Sequence, residues 1–203
     1  MHQAGGSGWK ITMDTSGPMM IALYVRDAAG LDGAGRPALS HAAPKVHHAD
    51  HSHLTAEVGG LAALKTEWEA WWDQLLKAHP KMSPELSPPE FAAFGNSPAL
   101  QRVLQAHFGS ALTWVRERRS EYAELEAERV ASGSDLLLDD LVDDRLMEVG
   151  RSSRDFSLTI IELPLNEQRA WYLEPDKIIM SHDLISQPDL FRSYVQPVVE
   201  MLV

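Results

Sequence analysis

The sequence predicts an α+β protein in which strands from both ends of the chain form one antiparallel sheet covered by helices. Three observations support this prediction: strand-like alternation near the N-terminus, helical spacing of apolar residues through the middle, and three short β-like segments near the C-terminus. Strands that are grouped apart from the helices favour α+β over α/β architecture. We therefore expect a single domain over residues 1–203, with one long central helix above the sheet.

The N-terminal region is predicted to form a β-hairpin. Trp9, Ile11 and Met13 alternate with polar residues, and the segment TSGP that follows is typical of a turn. The next segment, MMIALYVRD, is almost wholly apolar, as expected of a strand that is covered on both faces. We expect it to be the second strand of the hairpin and to belong to the same sheet as the C-terminal strands.

Residues 28–54 are predicted to form a long loop within the domain. The segment is rich in Gly, Pro, Ala, Ser and His and has neither helical nor strand periodicity. Loops of this length in compact domains are usually either functional or disordered. The downstream end of this loop contains four histidines within ten residues, KVHHADHSHL.

Helical spacing dominates the middle of the chain. Apolar residues recur at steps of three and four, and prolines, glycines and N-cap residues mark the ends of the segments. The predicted helices are 57–79, closed by Pro80; a short helix at 89–94; 98–132, with Ser97 as N-cap and Gly133 as stop; and 134–149, ended by Gly150.

The C-terminal region returns to a two-residue period. FSLTIIEL, RAWYLE and KIIMSH are separated by connections short enough for antiparallel neighbours, so we expect three strands that complete the sheet. A last helix should begin near Pro188, and Pro197 should kink or interrupt it.

Several stretches carry a resemblance to a protein family. LYVRDAAGL, IIELPL, AWYLEPDKIIMSHDL and SYVQPVVEML resemble small uncharacterised proteins of high-GC bacteria. The similarity covers most of the chain. It implies no activity and no catalytic residue.

The overall composition restricts the classes of partner. The chain has 203 residues and a formal net charge of -11, with 29 acidic and 18 basic side chains. An acidic protein repels phosphate backbones and anionic lipid, so we expect neither a nucleic-acid nor a membrane partner. The sequence lacks cysteine, a signal peptide pattern and an apolar run of the ~20 residues that span a bilayer. A cytoplasmic protein is the expectation.

The histidine-rich end of the loop is the first candidate site. His47, His48, His51 and His53 offer neutral imidazoles, which bind Zn²⁺ and related metals, and a flexible loop would allow three of them to converge. No cysteine or fixed ligand spacing orients them, however, and a solvated polar loop is the competing interpretation. Zinc is therefore an expected cofactor only under the first interpretation.

Two further motifs are interpreted as structural. Asp139, Asp140, Asp143 and Asp144 could hold Mg²⁺, but apolar residues between them predict a helix whose solvated face carries the aspartates. SHD at 181–183 contains the residue types of a hydrolase triad. Consecutive residues on a strand point to alternate faces, so these three side chains should not converge.

The segment WEAWW supplies a candidate interaction residue. Trp68 and Trp72 lie on the apolar stripe of the predicted helix, whereas Trp71 is displaced by about 100° and would reach the edge of the core or an interface. Aromatic residues are enriched at protein contacts. Trp71 is therefore the residue that we expect at a protein partner or at a homo-oligomer contact.

Two functional hypotheses of different classes follow. The first is a non-enzymatic cytoplasmic protein that binds another protein, or itself, through its helices. The second is a zinc-type metal-dependent hydrolase with His47, His48, His51 and His53 as ligands and a carboxylate from elsewhere as general base. The first is preferred because no group of residues in the sequence is convincing as a catalytic site.

Overall fold

The computed structural model describes residues 2–6, 8–77, 85–150 and 155–203. The chain divides into two compact units. The sheet unit contains Met1–Thr15 and Arg119–Val203, and the helical unit contains Ser16–Arg118. The expectation of one domain for the whole chain stays a prediction.

The sheet unit contains a five-stranded mixed sheet. Its strands are β1 (His2–Gly6), β2 (Trp9–Thr15), β3 (Phe156–Leu163), β4 (Ala170–Leu173) and β5 (Lys177–Ser181), in the order β1-β2-β3-β5-β4. The pairs β1–β2 and β4–β5 are antiparallel, whereas β2–β3 and β3–β5 are parallel. Strands from both chain ends share a sheet, as predicted, and the overall α+β class is confirmed.

The predicted antiparallel arrangement is wrong for the central pairs. The whole helical region connects β2 to β3, and a connection of that length permits parallel pairing. After β3 the chain forms β4 at the edge of the sheet. β5 then lies between β3 and β4 and pairs with both. The alternation of apolar residues therefore predicted the C-terminal strands, but the short connections between them did not predict the strand order.

The predicted second strand of the N-terminal hairpin is instead a helix, α1 (Gly17–Ala28). The Ser16 hydroxyl accepts a hydrogen bond from the backbone N–H of Met19, so the segment interpreted as a turn is a helix N-cap followed by a first-turn proline. The apolar run lacks a helical stripe because α1 is buried on most of its surface. The hairpin partner of β2 is β1, which lies upstream.

One face of the sheet packs against two helices of the sheet unit, α5 (Leu137–Val149) and α6 (Pro188–Leu202). Alternate residues of three strands form this face, as expected for a strand period of two. The core combines Trp9, Ile11, Met13, Leu158, Ile160, Ile178 and Met180 of the strands with Leu138, Leu141, Val142, Phe191, Val195 and Val199 of the helices.

The helical unit packs α1 against α3 (Gly60–Lys77). Trp68 and Trp72 stack with ring centroids 5.4 Å apart, and the Trp68 indole N–H donates to the Ala22 carbonyl at 2.8 Å. Gly35 has a φ of +89°, and a Cβ there would lie 3.0 Å from both indole rings. The loop thus needs glycine at this position on two counts.

The later helices follow their predicted ends closely. α4 spans Pro98–Ser132, and α5 follows a 3-10 turn at Ser134–Leu136. Gly133 and Gly150 adopt the left-handed conformation that ends a helix. α6 continues through Pro197 without interruption. The predicted helix at 57–79 is shorter, since a 3-10 turn (Ala56–Val58) precedes α3, and Pro80 lies outside the described residues.

Candidate functional site

The predicted loop is ordered and is anchored by an ion pair at the end of α1. The Arg26 Nε donates to Asp27 at 2.7 Å, and its terminal nitrogens donate to the carbonyls of Leu39 and Ser40. Asp27 in turn accepts from the backbone N–H of Ala42. The loop has no regular secondary structure here, so these side chains supply hydrogen bonds to its backbone N–H and C=O groups.

His51 closes this loop and is almost fully buried, with 1% of its surface exposed. It precedes the short helix α2 (Ser52–Thr55), and its carbonyl accepts from the backbone N–H of Leu54 and of Thr55. Neither ring nitrogen of His51 has a hydrogen-bond partner within the described part of the chain. A buried polar group without a partner is costly, so this imidazole calls for an explanation.

The His51 ring contacts the ring of His107, which lies on α4. The two centroids are 4.5 Å apart and the ring planes are inclined by 57°. Arg102, also on α4, donates to the Leu54 carbonyl at 3.3 Å and pairs with Glu57, so this part of α4 is held against the segment that contains α2. His107 was not predicted as a site residue because it is distant in sequence from the loop.

Both rings are biased towards the neutral form. Burial lowers the pKa of His51, and the neighbouring His107 lowers it further; the Ala49 backbone opposes this shift without making a well-formed hydrogen bond. Burial also lowers the pKa of His107, with a second contribution from His53. Neutral imidazole is the form that binds metal ions.

The other predicted ligands lie on the exposed part of the loop or in α2. His53 is exposed and close enough to influence both His51 and His107 electrostatically. His48 packs beside Gly30, where a Cβ would lie 2.7 Å from the imidazole. His47 is exposed and lines a separate groove, whereas His41 contacts Asp27 at 3.4 Å.

No group of three or more His, Cys, Asp or Glu residues is placed to hold a metal ion among residues 2–6, 8–77, 85–150 and 155–203. The four predicted ligands are therefore not brought together as a set. The structure instead pairs one of them, His51, with His107.

We expect the metal-free protein to lose stability as the pH falls below about 6.5. The pKa values of His51 and His107 are lower in the folded chain, so the unfolded chain binds more protons in this range and the free energy of unfolding decreases. Urea denaturation above and below this pH measures the loss. His107→Gln should reduce this pH dependence relative to the wild type; an unchanged pH dependence in the variant would contradict the prediction.

Three of the four aspartates lie on the solvated face of α5, consistent with their structural interpretation, and Asp139 is half-buried. Asp140, Asp143 and Asp144 are exposed, while Leu138, Leu141 and Val142 of the same helix are buried in the sheet unit. Asp144 approaches Arg192 at 4.0 Å.

The sheet unit contains a buried polar cluster that was not predicted from the sequence. Glu162 of β3 has no exposed surface, and its carboxylate pairs with the Arg129 guanidinium at 2.7 and 3.0 Å. The Tyr122 hydroxyl donates to the same carboxylate at 2.7 Å, and Arg129 also donates to the His182 carbonyl. Two features of the sequence could have indicated this cluster. They are a glutamate inside an apolar strand and a Tyr–Arg spacing of seven residues on a helix.

Burial and neighbouring charges shift the pKa values of Glu162 and Tyr122 in this cluster. Burial raises the pKa of Glu162, and Arg129 opposes that shift. Burial and the adjacent Glu162 raise the pKa of Tyr122 well above its usual value, so the phenol stays neutral and acts as a donor. The cluster fastens β3 to the C-terminal half of α4.

The SHD motif differs in part from expectation. The Ser181 hydroxyl donates to the Asp183 carboxylate, because Ser181 ends β5 and Asp183 lies beyond the strand alternation. Gln168 donates to the same carboxylate at 3.0 Å. Ser181 is fully buried and donates to a carboxylate, and this contact is structural.

Trp71, the predicted interaction residue, is buried within the helical unit. Its exposed fraction is 3%, and its ring meets Phe94 edge-on with centroids 5.3 Å apart. The 3-10 turn Ala92–Phe94 supplies this contact, which helical periodicity in α3 could not reveal. Trp71 therefore presents no surface to a partner in this structure.

Comparison with known proteins adds no identification. No protein-family model, curated protein sequence or solved structure matches the chain significantly. Within the described ranges, every helix is too short or too polar to cross a membrane.

Proposed function

We propose that the chain binds a divalent transition metal such as Zn²⁺ through His51 and His107, and that His53 turns towards them on binding to become a third ligand, since the described residues contain no preformed group of three ligands. The observation that carries this proposal is the buried His51 ring, whose two nitrogens have no hydrogen-bond partner among the described residues and which lies against the His107 imidazole. Coordination would use one nitrogen of each ring and offset the cost of burying them.

His53 is suited to complete the ligand set. It is exposed and therefore free to rotate, and it already acts electrostatically on the buried His51 ring and on the half-buried His107 ring. Water would fill the fourth position of a tetrahedral ion. This set shares His51 and His53 with the sequence hypothesis and replaces His47 and His48 by His107.

Metal binding is better supported than metal-dependent hydrolysis. Asp50, the loop carboxylate next to His51 in the sequence, accepts from the backbone N–H of Ser52 at 2.8 Å and from its hydroxyl at 2.6 Å. These bonds lower the pKa of Asp50 and make it a poor general base. The proposed role of the ion is therefore to join the histidine loop to α4.

Titration of the full-length, tag-free and metal-free protein with ZnCl₂ in a calorimeter tests this proposal. We expect one Zn²⁺ per chain, and we expect His51→Ala and His107→Ala each to weaken binding by roughly tenfold or more. His41→Ala, which removes an imidazole of the same loop, should leave the affinity unchanged. Binding that persists in both ligand variants, or absence of binding to the wild type, would overturn the proposal.

A spectroscopic measurement on the wild type tests the same proposal without relying on variants that could misfold. Long-range ¹H–¹⁵N correlation spectra of the histidine rings should show shifts at one nitrogen of His51 and of His107 when Zn²⁺ is added to the wild type. The proposal fails if the shifts are confined to His41, His47 and His48.

The hypothesis of a protein-interaction or self-associating domain stays a prediction. Its expected contact residue, Trp71, is buried, so the structure supplies no surface for it there. Light scattering of the purified chain measures the oligomeric state directly.

A further inference from the structure

The helical unit contains an open groove that is separate from the histidine pair. Its cavity of about 430 Å³ lies between α1, the loop around Lys45 and Val46, and the middle of α4. Cavities of this size are typical of small-molecule sites, which span roughly 300–1,000 Å³.

Two aromatic residues line the groove. The rings of Tyr24 and Trp114 are 5.9 Å apart and inclined by 54°, and Val46 adds an apolar side chain beside them. Trp114 is 9% exposed, and its indole N–H has no hydrogen-bond partner among the described residues. The Trp114 nitrogen is itself buried, so the groove offers aromatic surface rather than the indole N–H, and this lining favours a ligand that has an apolar ring.

Gly109 leaves the backbone of α4 open at the groove. It lies in the interior of α4, where glycine is less favourable than alanine, and it lines the groove. A Cβ at this position would meet no atom within 4 Å, so packing within the chain does not require glycine. A ligand that approaches the helix backbone closely would require it.

The charges at the groove favour an anionic ligand. Glu117 lies 3.7 Å from Arg118, and the Arg118 guanidinium lies over the Trp114 ring at 5.5 Å from its centroid. The negative charge of Glu117 is therefore compensated within α4. Lys45, which also lines the groove, is exposed and supplies a positive charge there.

We propose that this groove binds a small aromatic carboxylate, independently of any metal at the histidine pair. The ring packs against Tyr24 and Val46 and passes close to the backbone at Gly109. The carboxylate pairs with Lys45.

Titration of the ¹⁵N-labelled full chain with indole-3-acetate, followed by NMR, tests this proposal. The matched probe is indole-3-acetamide, which keeps the ring and removes the charge. We expect saturable shifts of the Trp114 indole and Gly109 amide signals, with the acid binding roughly tenfold more tightly than the amide because of its charge-assisted contact with Lys45.

Three variants make the result specific. Lys45→Gln should abolish the preference for the acid, and Lys65→Gln, an exposed lysine of α3, should retain it. Gly109→Ala should preserve the helix, since alanine is the better helix former, and should weaken binding of both compounds. Absence of saturable shifts at Trp114 and Gly109, equal affinity for acid and amide, or unchanged binding in Gly109→Ala would each overturn the proposal.

Discussion

Replacing Glu162 by glutamine is expected to lower the free energy of unfolding by about 3–5 kcal/mol. The substitution leaves the Arg129 guanidinium buried without its counter-charge, and it weakens the acceptor of the Tyr122 hydroxyl. Chemical denaturation followed by circular dichroism measures the loss. The effect should be large because the remaining charge is neither solvated nor paired.

Glu167→Gln is the matched control within the sheet unit. Its side chain is 52% exposed and lies 3.6 Å from Arg169, so the same substitution there should change stability by less than about 0.5 kcal/mol. The double variant Glu162→Leu/Arg129→Met removes both buried charges and should be more stable than Glu162→Gln. Equal losses at Glu162 and Glu167 would contradict the role of the buried pair.

Trp71→Ala is expected to destabilise the chain by about 3–5 kcal/mol, the usual cost of removing a buried aromatic side chain. Trp71 is 3% exposed and packs edge-on against Phe94, so the substitution opens a cavity in the helical unit. Thermal and chemical denaturation measure the effect. Trp71→Phe should lower the free energy of unfolding much less than Trp71→Ala, because the indole N–H makes no hydrogen bond to a described residue.

Leu61→Ala is the control on the same helix. Leu61 is 45% exposed, and its truncation should change stability by no more than about 0.5 kcal/mol. An unchanged stability of Trp71→Ala together with a changed oligomeric state would instead support the sequence hypothesis of an interaction residue.

The helices whose ends are marked by proline or glycine were predictable from the sequence. Pro98 and Gly133 mark the ends of α4, and Gly150 follows α5, because a proline in the first turn and a left-handed glycine after the last turn are local requirements of a helix. The segment MMIALYVRD was not predictable in this way. A short apolar run without polar alternation suits a buried strand and a buried helix equally.

The candidate site was predictable only in part. The density of imidazoles drew attention to the loop and to His51. The pairing with His107 depends on how α4 packs against α2, and no local pattern of residues encodes that contact. The same holds for Glu162 and Arg129, which are separated by 33 positions and meet through tertiary packing.

The sequence by itself determined the α+β class, the positions of the later helices and the sharing of a sheet by both chain ends, because these follow from the period of apolar residues and from local capping. Only the tertiary structure decided the strand order, the helical state of α1, the burial of Trp71 and the partner of His51. These depend on which surfaces meet, and contacts between distant segments leave no periodic signal in the sequence.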